Sequence, residues 1–91
     1  MLSQIPFNLQ SLKKDQIDRE ILRVGIIAEL DAVNLYEQMA AMATNEKIGK
    51  VLADIAKEEK THVGEFQALL LELDQEQVKE LAAGKEEVDE M

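Results

Sequence analysis

Two apolar stripes at helical spacing, each interrupted by ionisable groups, constrain this chain more than any other feature. A four-three step along the first half selects Leu22, Ile26, Glu29, Val33, Tyr36 and Ala40. The same step along the second half selects Ile48, Leu52, Ile55, Glu59, His62, Phe66, Leu69 and Leu73. Stripes of this period bury themselves against other helices. The lone proline, Pro6, precedes both stripes, so no proline breaks either helix. Strand-like alternation is absent, and the expected fold class is all-α: an antiparallel two-helix hairpin plus a short C-terminal helix.

Capping residues set the boundaries. The first helix is expected from about Asp15, as its N-cap, to Ala43. Thr44 and Asn45 are both good N-caps for the second, Glu46 sits in its favourable first turn, and it runs to about Leu73. Asp74, with Gln77 three residues on, opens a short third helix that Gly84 is expected to stop. The chain therefore divides into an irregular lead-in (1–13), a helical hairpin with its third helix (14–84) and an acidic flexible tail (85–91).

Composition removes whole classes of function. With 91 residues, 46% apolar and 32% charged, the chain is one foldable domain rather than a disordered segment. It has no cysteine, which excludes disulfides, thiolate nucleophiles, zinc ribbons and iron–sulfur ligation together. A formal charge of -9 argues against nucleic acid as a partner, since that needs a basic footprint. No run of about 18 apolar residues exists to span a membrane. The opening MLSQIPFNLQ lacks the basic-then-apolar build of a secretory signal, so a cytoplasmic protein is expected. Most of the net negative charge falls after Leu71, where Glu72, Asp74, Glu76, Glu80, Glu86, Glu87, Asp89 and Glu90 face only Lys79 and Lys85. That end reads as a solvating tail, with attraction of metal cations as the alternative.

The interruptions carry the chemistry. An unpaired carboxylate in a buried helical layer costs several kcal/mol, about the scale of a small domain's whole stability. Something must therefore compensate Glu29, Glu59 and His62. With the turn centred between Thr44 and Asn45, Glu29 lies level with the middle of the Glu59/His62 pair to within roughly 1 Å, at about 1.5 Å of rise per residue. Glu59 and His62, three apart, share one helix face. Three potential ligands thus converge on one layer.

A Glu helix beside a Glu-x-x-His helix is half of the site in ferritin-like di-iron carboxylate bundles, which take two of each. A two-fold dimer of hairpins would complete a ferritin-like four-helix bundle and a two-metal site together. The hairpin needs a partner in any case, because Ile21, Val24, Ile27, Leu30, Leu35, Val63, Leu70 and Leu71 also want burial. Gly25, Ala28, Ala32, Ala53, Ala56, Gly64 and Ala68 would permit close helix approach, or are incidental. A buried Glu–His ion pair without metal is the competing reading of the layer. Carboxylate and imidazole donors suit iron, manganese or zinc, and two metals sharing carboxylates with open positions favour redox iron.

The run Ile26-Ile-Ala-Glu-Leu-Asp-Ala-Val-Asn-Leu-Tyr36-Glu-Gln-Met, followed by Glu58-Glu-Lys-Thr-His62-Val-Gly-Glu-Phe66, resembles the encapsulated ferritins. These are short ferritin-like proteins that are cargo of encapsulin nanocompartments or, in some archaea, are fused ahead of the shell protein; the fused type is the nearest in pattern. The resemblance covers roughly residues 17–82. It implies a homodimer with a shared di-iron ferroxidase centre, assembled into a decameric ring within an encapsulin shell. It implies Glu29, Glu59 and His62 as ligands, Glu59 bridging, and a catalytic role for Tyr36, whose alternative role is a core aromatic. Asp31 matches one carboxylate of the family's metal-access site, while Ala28 stands where its companion carboxylate is found. The acidic end does not look like the anchor peptide of the separate cargo proteins.

The function expected is thus oxidation of Fe(II) by dioxygen, supplying iron for storage in the compartment. A rubrerythrin-like di-metal peroxidase is one alternative, though no cysteine is present to carry a rubredoxin-type donor. A non-catalytic metal-binding or helical interaction module is the other, its Glu/His layer fixing the pairing register.

Overall fold

A computed structural model describes residues 13–91, and the lead-in expected over 1–13 lies outside them except for Lys13. Three helices follow in order: α1 Lys14–Met42, α2 Glu46–Leu73 and α3 Gln75–Asp89. No strand occurs among the described residues.

The ends form largely where capping chemistry puts them. The Asn45 side chain accepts from the Ile48 N–H at 3.1 Å, satisfying one of the four donors a helix start leaves unpaired. Asp74 does the same for α3, accepting from the Gln77 N–H at 3.0 Å. The start of α1 differs from expectation. Its N-cap is Lys13, whose backbone N–H donates to the Gln16 side chain at 3.1 Å. Asp15 instead sits in the first turn, where its charge opposes the positive end of the helix dipole.

A larger departure lies at Gly84. The helix does not stop there; α3 continues through residues 85–89, which were expected to form the start of the flexible tail. No glycine adopts a positive φ, so the left-handed cap that would end the helix at Gly84 does not form. An interior glycine costs about 1 kcal/mol relative to alanine, too little to end a helix alone. Lys85 and Asp89, four apart, add an ion pair across the last turn.

The hairpin buries little. Leu22 and Val33 on α1 and Ala56 and Leu70 on α2 are the only buried apolar side chains among the described residues. Ile48, Leu69 and Leu73, expected in one seam with Leu52 and Phe66, are largely exposed. Helix α2 therefore carries two apolar faces, one turned to α1 and one left open. Ile21 on α1 is likewise about half exposed.

Helix α3 is held at its root. Asp74 is the single non-helical residue between α2 and α3. Its Oδ2 lies 3.6 Å from Arg23 Nη1, and Arg19 Nη1 donates to the Leu73 carbonyl at 3.4 Å. Arginines on consecutive turns of α1 thus grip the joint. Beyond it, Gln77 and Leu81 close one side of a groove floored by Ile26, Ile27 and Leu70.

Candidate metal centre

Glu29 sits midway along α1, and Glu59 and His62 midway along α2. The connection is three residues, Ala43 to Asn45, so positions equidistant from it come level across the hairpin. His62 Nδ1 lies 3.4 Å from Glu29 Oε2 and 3.4 Å from Glu59 Oε2. One ligand atom from each of the three residues falls within 4.8 Å of the others.

At 3.4 Å an N–H···O contact is long for a hydrogen bond, whose usual length is near 2.9 Å. Two carboxylates also match one dication in charge. The donor set therefore fits a divalent metal.

The group is not sealed. The Glu29 and Glu59 side chains are 20% and 18% exposed, whereas His62 is 45% exposed. Glu29 and His62 open onto a cavity of about 440 Å³ whose other walls are Glu65, Phe66 and Leu69. Glu65 played no part in the expected ligand set. Its signal in the sequence is the i+3 step from His62, which makes it a neighbour of His62 on the helix surface. Leu69 is shared with a neighbouring cavity lined by Asp18, Ile21, Leu22, Glu72 and Leu73. The open face of α2 runs continuously past the site.

Tyr36 does not join the three. It stands seven residues beyond Glu29 on α1, about 10 Å along the helix axis, and does not line the cavity in front of His62. Asp31 is half-buried and engaged with a neighbour. Among the small residues, Gly25 is a point of close approach, since a β-carbon there would lie 3.3 Å from the Phe66 ring. At Gly64 such a carbon would meet nothing, so no contact within the chain requires glycine at that position.

Residues 20–90 match the Rubrerythrin family. Over 72 residues the chain is 65% identical to the Ferritin-like-encapsulin shell fusion protein of Pyrococcus furiosus, an alignment covering 79% of this chain and 21% of that protein. It is 38% identical over 68 residues to the Encapsulin nanocompartment cargo protein EncC of Myxococcus xanthus, covering 75% of this chain and 50% of that one. The chain thus spans half or less of the length of these relatives. The crystal structure of an encapsulated ferritin domain from Pyrococcus furiosus superposes with a TM-score of 0.86 at 55% identity, covering 100% of this chain and 95% of that one.

Proposed function

We propose that this chain, which belongs to the encapsulated ferritins within the Rubrerythrin family, is a ferroxidase that oxidises Fe(II) with dioxygen and delivers Fe(III) for storage inside an encapsulin nanocompartment. The observation that carries this reading is the convergence of Glu29, Glu59 and His62 from two helices on one open cavity. Carboxylate and imidazole donors with room left for further ligands suit redox iron. Iron bound there supplies electrons to dioxygen.

The chain's own residues do the rest. Glu29 and Glu59 balance the two charges of Fe(II), so the loaded set is neutral. His62 contributes a neutral donor and must lose its proton to do so. Phe66 and Leu69 line the cavity with apolar surface and exclude water from that side.

One hairpin supplies one Glu helix and one Glu-x-x-His helix. The exposed Ile21, Leu69 and Leu73 beside the cavity favour a second copy closing it, which brings a second ligand set opposite and makes a four-helix bundle. Such dimers would assemble further into a ring of ten. The encapsulin association rests on the relatives, one a shell fusion and one a shell cargo.

Native mass measurement tests this, made with and without Fe(II) in the absence of air. Even-numbered assemblies carrying about one iron per chain are expected. An assembly that binds no metal, with mass and melting temperature unmoved by a chelator, would instead identify a helical interaction module.

A further inference from the structure

The ligand layer has unlike neighbours on its two sides. On one side Phe66 and Leu69 line the cavity in front of His62. On the other, toward the connection, lie Val33, four residues after Glu29, and Ala56, three residues before Glu59. Each therefore shares a helix face with its ligand. Val33 stands eleven residues before Thr44 and Ala56 twelve after it, so the two come level to within roughly 1.5 Å. Both are buried, Val33 at 7% exposure and Ala56 at 2%, the lowest in the core. Neither lines the cavity. One wall beside the metal centre is thus closed, and its α2 half is the smallest side chain that has a β-carbon.

We infer, resting on the metal-binding reading above, that Ala56 is a positioning residue which fixes the span between Glu29 on α1 and Glu59 on α2, and with it the size of ion the set prefers. Protein interiors are packed as densely as organic crystals. A side chain 2% exposed therefore has no room for further methyl groups unless a helix moves. Glu59 is one turn away on the same helix and moves with it. A small ion leaves little latitude, since zinc takes nitrogen and oxygen donors at about 2.0–2.2 Å. Widening the span therefore penalises Zn(II) more than a larger ion such as Mn(II). A second copy on the open face leaves this wall unchanged, because Ala56 is already buried within one hairpin.

The test titrates Zn(II) and Mn(II) alone into the full chain against a chromophoric chelator, and records the absorption spectrum of bound Co(II), which reports ligand geometry. Ala56→Val should weaken Zn(II) binding about tenfold, the scale on which changes behind metal ligands act. It should weaken Mn(II) binding less and shift the Co(II) spectrum. Val33→Ile adds one methylene at the level position on α1 and should act in the same direction, more weakly; it serves if Ala56→Val does not fold. Ala56→Ser, near alanine in size, should keep the wild-type preference. Leu22→Ala leaves a cavity in the same core two turns from Glu29, and should lower stability without changing the preference. Wild-type preference and spectrum in the folded Ala56→Val and Val33→Ile variants would overturn the inference. An equal change of preference in Leu22→Ala would also overturn it, assigning the effect to core stability. Glu59→Ala separates the two levels: if it binds Zn(II) as wild type does, the metal-centre reading fails and the role of Ala56 falls with it. If it binds none while Ala56→Val matches wild type, only the role of Ala56 fails.

Discussion

The Phe66 ring packs against the backbone of Gly25, so closely that a β-carbon at Gly25 would stand 3.3 Å from ring atoms Cδ2 and Cε2. Gly25 is one turn before Glu29, and Phe66 one turn after His62. Their contact sets the separation of α1 and α2 immediately beside the ligand layer. Two opposed effects decide what Gly25→Ala does. Alanine favours the helix by about 1 kcal/mol, while its methyl group pushes the ring and the facing helix outward by a few tenths of an ångström. Stability should therefore change by less than about 1 kcal/mol, while affinity for Co(II) or Fe(II) falls several-fold. Thermal melting and metal titration of the same variant check this, and equal affinity would show that the contact does not tune the site.

Metal binding must compete with protons. The imidazole binds only when neutral and the carboxylates only when ionised. Acid thus opposes loading and alkali favours it. Metal content should fall as the solution is acidified towards pH 5. Calorimetric titration at several pH values measures it. A flat profile would remove His62 from the ligand set.

Asp74 does two jobs with its two oxygens, accepting from the Gln77 N–H with Oδ1 and facing Arg23 with Oδ2. Asp74→Ala removes both, and losing the cap alone costs about 1 kcal/mol. Asp74→Asn keeps a capping oxygen and gives up the charge. Amide exchange at Gln77 and Val78 should accelerate strongly in the alanine variant and mildly in the asparagine one, with α1 little changed in either. Equal acceleration would assign the joint to the ion pair instead of the cap.

These residues also show what could be seen in the sequence. Asn45 and Asp74 are legible because a capping oxygen acts on backbone two or three residues away, and such short-range chemistry does not depend on the rest of the fold. The Glu29, Glu59 and His62 layer is legible because a three-residue connection reflects one helix onto the other, so level positions follow from arithmetic. Gly84 is not legible. Whether glycine stops a helix depends on a left-handed turn that the following residues must support, and Lys85 with Asp89 supports continuation instead. The stripe on α2 misleads for a related reason. A four-three step cannot separate residues turned toward α1 from Ile48, Leu69 and Leu73 turned to the open side, since apolar character alone does not say which surface covers it. Glu65 is not legible either, because an exposed glutamate acquires meaning only from the cavity beside it.

The most direct test of the central claim measures dioxygen consumption on adding Fe(II) to the wild-type chain and to Glu59→Ala. Glu59 lies 3.4 Å from His62 and supplies one of the two charges that balance the ion. Wild type should consume dioxygen well above the rate of Fe(II) in buffer, and Glu59→Ala should fall to that background while keeping its helix content. Oxidation by Glu59→Ala at the wild-type rate would contradict the assignment of ferroxidase chemistry to this site.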